Sequence, residues 1–277
     1  MTLFKALWIG GTLTVPGVSG GSMAMIMGIY DKLLWAVNSL VKKRGERRKA
    51  LLFLLWMILG GGTGFVLFSK LVGFLLESFP LFVCFFFMGA VIGGVPMVIK
   101  KAEIKRFGII DLLMVILGAV TVWLISLIPS EIFSIGGIGG VGGVGGVALK
   151  IFCGFILAFG LVLPGISFSQ MLYVFGIYGE IVERLSNLDI VPLIPFGVGG
   201  IIGIFATSRL VEMLMKKYPG RVYMIILGFL FGSAPTMFQG QSFASTPWWA
   251  YLLFAVLAVA GFAAVYAMSV FEERKAK

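Results

Sequence analysis

Six stretches of the chain, 6–30, 51–69, 80–99, 151–179, 190–208 and 222–271, contain no Asp, Glu, Lys or Arg. A helix needs about 20 mostly apolar residues to cross a bilayer. In lipid, every backbone N–H and C=O must find its partner inside the protein, which leaves helices and closed barrels. These runs are continuous rather than alternating, so they do not read as barrel strands. A further stretch, 112–130, is slightly short but also uncharged. With 60% hydrophobic residues, 12% charged residues and a mean hydropathy of +1.07, the solvent has to be lipid. The expected class is an all-α integral membrane protein.

The net charge of +10 is compatible with nucleic-acid binding. In a membrane protein it is better explained by Lys and Arg gathered in cytoplasmic loops, so no nucleic-acid partner is expected. Cys84 and Cys153 both sit in apolar runs and read as small buried hydrophobes rather than a disulfide. The chain has no His, which removes His-based acid–base chemistry and the commonest metal ligand. No metal and no cofactor are expected. The segment after Lys5 has the look of a signal peptide, but it recurs in mid-chain and therefore reads as structural.

That recurrence is an internal duplication. Residues 10–40 align with 158–188 at a constant offset of 148, so that Pro16, Gly17, Ser19 and Met23 meet Pro164, Gly165, Ser167 and Met171. Gly28-Ile29-Tyr30 meets Gly176-Ile177-Tyr178. Further on the offset becomes 139: Gly60, Gly61 and Gly64 meet Gly199, Gly200 and Gly203, and Ser69-Lys70-Leu71-Val72 meets Ser208-Arg209-Leu210-Val211. Pro80, Gly89, Gly93 and Pro96 meet Pro219, Gly228, Gly232 and Pro235. Apolar segments match by composition alone; prolines, glycines and a Ser-basic pair in the same order do not. Internal repeats of this kind are the usual plan of secondary transporters. Between the copies, 136–147 has Gly at eight of twelve positions and reads as a linker.

Basic residues set the orientation. Residues 42–49, 100–106, 216–221 and 274–277 are basic, whereas 77–80, 129–149 and 239–247 carry no Lys or Arg. If every apolar run crossed the membrane, 216–221 would fall opposite 42–49. If 1–40 and 150–188 instead enter and leave on one side, all four basic clusters are cytoplasmic. Each of those segments has Pro-Gly at its centre, where a helix should break. The expectation is two inverted-topology repeats, each one re-entrant helical hairpin plus three transmembrane helices. The first repeat is 1–130, with hairpin 1–40 and helices about 51–77, 80–99 and 108–129. The linker is 131–149. The second repeat is 150–277, with hairpin 150–188 and helices about 190–216, 221–240 and 247–271. N- and C-termini are expected on the cytoplasmic side.

The broken tips are PGVSGG (16–21) and PGISFS (164–169). A helix broken in the membrane leaves N–H groups that favour an anion. Gly17, Gly20, Gly21 and Gly165 let a ligand approach the backbone. Ser19, Ser22, Ser167, Ser169 and Gln170 add polar side chains, and Tyr30 and Tyr178 are neighbouring lining candidates. A tightly packed glycine turn without a ligand is the alternative. Lys70 and Arg209 lie well inside apolar runs, match in the repeat, and follow Ser69 and Ser208. Charges there are costly and usually functional, and Arg suits bidentate phosphate contact. The alternatives are snorkelling and, for Arg209, an ion pair with Glu212. Asp31, Glu77, Asp111, Glu180 and Glu212 are the acidic candidates for ion coupling, all near segment ends.

At PGVSGG followed by MGIYDKLL, with the degenerate copy at 164–178, Gly93-Gly94-Val95-Pro96 and the two Ser-basic-Leu-Val pairs, the chain resembles the PopT family of bacterial polyprenyl-phosphate transporters, formerly a domain-of-unknown-function family. The resemblance implies a flippase that moves undecaprenyl phosphate or a similar polyprenyl phosphate between leaflets of the bacterial inner membrane, recycling the carrier lipid for cell-wall assembly. It implies a transporter rather than an enzyme. Phe168 and Ser169 stand where the first tip has Gly20 and Gly21, so the two ends of the site differ. A small-anion transporter or channel is the other reading; a lipid phosphatase ranks lower because it needs a nucleophile and a proton donor, usually His. A coupling ion, proton or sodium, and homo-oligomerisation are left open by the residues.

Overall fold

A computed structural model describes residues 2–13, 19–42, 44–104, 106–127, 143–166, 171–172, 175, 177, 181, 184, 189–244 and 246–276. Regular structure among them is helical: α1 (Thr2–Thr12), α2 (Gly20–Ile26), α3 (Tyr30–Lys42), α4 (Arg47–Ser78), α5 (Pro80–Lys101), α6 (Ile109–Leu127), α7 (Gly143–Val162), α8 (Ile194–Lys217), α9 (Pro219–Ser233) and α10 (Trp248–Ala276). Six of these helical segments, those containing α4, α5, α6, α8, α9 and α10, are long and apolar enough to cross a membrane. Rows of exposed Leu, Ile, Phe and Trp along α4, α6 and α10 form the outer surface. In water such a surface would be untenable; against acyl chains it is the expected finish. The chain is a multi-pass membrane protein.

Local sequence sets the breaks. α4 stops at Phe79 (φ −140°, ψ 52°), and Pro80 opens α5. α8 stops at Tyr218 (φ −137°, ψ 57°), and Pro219 opens α9. Proline bars the residue before it from helical backbone and suits the first turn of the next helix. α2 and α3 are bent by 114° at Met27–Ile29, where Gly28 has φ +68°. One helix boundary departs from the sequence expectation. α7 begins at Gly143, inside the stretch assigned to the linker. Its opening glycines are followed by Val147-Ala148-Leu149, and in lipid the need to bond every backbone group outweighs glycine's low helix propensity.

Glycines set the helix spacing. A Cβ added at Gly10 would stand 1.9 Å from the Gly61 carbonyl oxygen, and one at Gly64 would stand 2.0 Å from that of Leu7. These contacts bring α1 onto α4. The same approach joins α7 to α8: a Cβ on Gly199 would lie 1.9 Å from the Ile151 oxygen, and one on Gly203 would lie 2.5 Å from the Phe155 oxygen. Small residues of this kind let helix backbones touch where no hydrophobic effect drives association. The last helices are exchanged. α5 packs on α10 through Gly89 and Gly261, and α9 packs on α6 through Gly228 and Gly118. Each of these glycines would place a Cβ within 2.2 Å of a carbonyl oxygen on the facing helix.

Candidate functional site

The start of α2 faces the break after α7. A Cβ on Gly21 would lie 3.2 Å from both N and Cα of Pro164, so the two backbones are already in contact. Tyr30 donates its hydroxyl proton to the Val162 carbonyl at 2.9 Å, and Ser19 Oγ stands 3.5 Å from the Leu163 carbonyl. Gly20 lies against Leu13, whose Cδ2 a Cβ would approach to 2.7 Å. On the other side Gly165 has φ +88°, and a Cβ there would be 2.4 Å from Phe229 Cβ and 2.7 Å from the Phe229 carbonyl carbon. Only glycine fits such a conformation against such a neighbour. The structure therefore brings Ser19, Gly20, Gly21, Ser22, Tyr30 and Gly165 to one place. Gly17, Ser167, Ser169, Gln170 and Tyr178 lie outside the described residues.

Ser19 precedes α2 with extended backbone (φ −88°, ψ 131°) and makes no side-chain cap bond. Ser22, one turn further, is 2% exposed, and its Oγ has no hydrogen-bond partner among the described residues. A buried hydroxyl without a partner costs about 1–3 kcal/mol. Natural interiors rarely leave one so, and a binding site is one reason they do.

The basic pair, placed by the sequence well inside apolar runs, does not face the helix interior. Lys70 and Arg209 are exposed. The inward face of α8 carries Gly199, Gly203, Thr207 and Val211; two residues past Thr207 is roughly 200° round a helix of 3.6 residues per turn, so Arg209 points the other way. It lines a surface pocket with Glu212, Met213, Lys216 and Lys217. Ser69 bonds back to Val66 of its own helix at 3.0 Å. Ser208 is buried, and its carbonyl accepts a bond from Asn38 Nδ2 at 3.2 Å.

Two residues escaped the sequence reading. Asn38, on α3, also bonds Glu212 of α8, and Glu212 pairs in turn with Lys216. This ties the first hairpin to the second half of the chain. The signal was present: α3 is amphipathic, and Asn38 interrupts its buried face. Asn38→Leu is expected to lower the midpoint of thermal unfolding in detergent, by an equivalent of about 1–3 kcal/mol, because it leaves Glu212 and the Ser208 carbonyl short of a donor. Ser69→Ala should leave that midpoint unchanged. The second residue is Lys5, 7% exposed, whose Nζ donates to the Met27 carbonyl at 2.9 Å, at the end of α2. A cation at a helix C-terminus complements the exposed carbonyls there.

The acidic candidates mostly have structural tasks. Asp31 pairs with Lys101 at 2.7 Å, and Asp111 accepts from the Gly108 N–H at 2.9 Å, fastening the start of α6. Glu77 is exposed, and Glu180 lies outside the described residues. Cys84 and Cys153 are free and buried.

Residues 9–251 match the model of the undecaprenyl phosphate translocase-like family. The chain belongs to this family. A polyprenyl-phosphate transporter from Vibrio cholerae is 27% identical over 245 residues, covering 84% of this chain and 76% of that protein. A polyprenyl-phosphate transporter from Staphylococcus aureus is 27% identical over 263 residues, covering 93% and 92%. No solved structure matches. Both Pro-Gly breaks lie within the matched range, so the family model covers the contact between Gly21 and Pro164 as well as the spanning helices.

Proposed function

We propose that this protein carries a polyprenyl phosphate from one leaflet to the other, with the phosphate held where the start of α2 meets the Pro-Gly break after α7. The observation that carries the reading is the contact of Gly21 with Leu163 and Pro164. The start of α2 and the end of α7 come together at Gly21 and Pro164, and beside them stand the hydroxyls of Ser19 and Ser22. Open backbone and hydroxyl donors replace the water shell of a phosphate without burying a counter-charge. The names of the two relatives supply the rest of the substrate.

We further infer that the copies are inverted. The helix packing supports the duplication by its correspondence: Gly64 meets Leu7 and Gly203 meets Phe155, each pair of partners separated by the sequence offsets of the repeat. Three spanning helices per copy reverse the second, and the basic clusters then fall on the cytoplasmic side with both termini. Rocking one half against the other would expose the breaks to each leaflet in turn. Arg209, with Lys216 and Lys217, serves as a basic mouth that collects the head group at the cytoplasmic surface.

Proteoliposomes carrying a fluorescent polyprenyl phosphate test this through a membrane-impermeant quencher. The wild-type protein is expected to move label between leaflets. Gly21→Val, which wedges the two breaks apart, is expected to slow it at least about tenfold, since an overpacked contact costs roughly 1–3 kcal/mol. No movement by the wild type, or protein-dependent uptake of inorganic phosphate without lipid, would replace lipid transport with the small-anion reading.

A further inference from the structure

We propose that a cavity beside the first break receives the isoprenoid chain of the lipid over the units nearest the phosphate; this rests on the transport reading above. Apolar surface needs no explanation in a membrane protein, but a concavity between packed helices does, because protein interiors normally pack to crystal density. Between α1, α4, α5 and α10 lies a cavity of about 400 Å³. That is within the size range of small-molecule sites. Its wall includes Trp8, Phe68, Phe79, Phe82, Phe86 and Phe87. The single hydroxyl on that wall, Thr12, is occupied by the Ile9 carbonyl at 2.8 Å. Besides it the lining side chains carry one polar group, the Trp8 indole N–H, so the wall is almost wholly apolar and the occupant is a hydrocarbon rather than an anion.

Position connects the cavity to the head group. Gly11 and Thr12 form both its wall and the last turn of α1. The next residue, Leu13, touches Gly20 at the start of α2. A lipid whose phosphate sits by Ser19 and Ser22 thus has its first carbons beside this opening. The far wall, Phe79 and Phe82, is at the α4–α5 turn, where the rest of a long chain passes into the bilayer.

The shape is particular to the first copy. A Cβ on Gly11 would stand 2.9 Å from the Phe68 ring, so glycine is what allows this wall. At the corresponding positions of the second copy, Gly11 is replaced by Phe159 and Phe68 by Thr207. Large and small residues change places, so the cavity is not an automatic product of the duplicated packing. Rigid aromatic faces suit the methyl branches and double bonds of an isoprenoid, whose C–H groups can meet the ring faces.

The probe is a polyprenyl phosphate with a photoreactive diazirine in its first isoprene units, bound to the full-length protein in liposomes and mapped by peptide mass spectrometry. Labelling is expected on α1, α4 and α5 around Trp8, Phe68 and Phe82, competed by unlabelled undecaprenyl phosphate and not by phosphatidylglycerol. Leu257→Trp and Leu75→Trp, which fill the cavity from different walls, should each reduce that label about tenfold, the scale on which a hydrophobic pocket discriminates by size. Label spread over the outer helix faces, or competed equally by phosphatidylglycerol, overturns the cavity assignment. Translocation of unmodified lipid by the wild type is measured alongside. Its absence removes the transport reading itself, whereas intact translocation with label outside the cavity removes only this proposal.

Discussion

Gly165→Ala is expected to reduce translocation of polyprenyl phosphate by about 100-fold or more and to lower the thermal midpoint, because two independent penalties coincide at one position. The backbone there has φ +88°, and a residue with a side chain pays about 1–2 kcal/mol in that region. The added methyl would also lie 2.4 Å from Phe229 Cβ and 2.9 Å from its carbonyl oxygen. That oxygen is backbone in the middle of α9 and cannot swing away, so overpacking adds about 1–3 kcal/mol. The second break must therefore shift, and Pro164 shifts with it, away from Gly21. Gly240 provides the control: its φ is +78°, but nothing lies within 4 Å of an added Cβ. Gly240→Ala should cost only the backbone term and leave transport within about twofold, since strain alone there is roughly 1 kcal/mol. Equal, mild effects at both positions would mean that the break at Gly165 tolerates rearrangement and does not position the site.

Much of this arrangement was legible in the sequence because its carriers are residues with few substitutes. Proline before a new helix and glycine at a backbone contact leave marks that composition does not imitate, so Phe79-Pro80 and Tyr218-Pro219 show up as matching turns. The helical class followed from uncharged runs alone. The exchange of last helices did not follow, because Gly89 facing α10 and Gly228 facing α6 are contacts between segments far apart in the chain, and sequence spacing carries no partner information. Lys70 and Arg209 are exposed for a physical reason. Their position in an apolar run marks them as unusual, but the face of the helix is set by the glycine and small-residue stripe, and both lie off that stripe. Asn38 was overlooked because a single amide in an amphipathic helix resembles any surface polar residue until its partner, 170 positions away, is in place.

Ser22→Ala should separate function from stability, which few substitutions in a membrane site can do. The Ser22 hydroxyl is buried and has no partner among the described residues. Removing it deletes an unsatisfied group, so the unfolding midpoint should stay level or rise, by an equivalent of up to about 1 kcal/mol. A phosphate resting by the break would accept this hydroxyl's proton, and a hydrogen bond to a charged group contributes about 1.5–3 kcal/mol. Affinity for the head group should accordingly fall about 10- to 100-fold, since each 1.4 kcal/mol is a factor of ten. The paired readout is lipid binding or translocation against unfolding temperature, for Ser22→Ala and for Ser22→Thr, which keeps the hydroxyl. Transport lost in Ser22→Ala at unchanged stability, and retained in part by Ser22→Thr, places the hydroxyl on the ligand. Transport unchanged in the more stable Ser22→Ala would make Ser22 a packing residue, and the phosphate would then have to be held by backbone N–H groups and Ser19 alone.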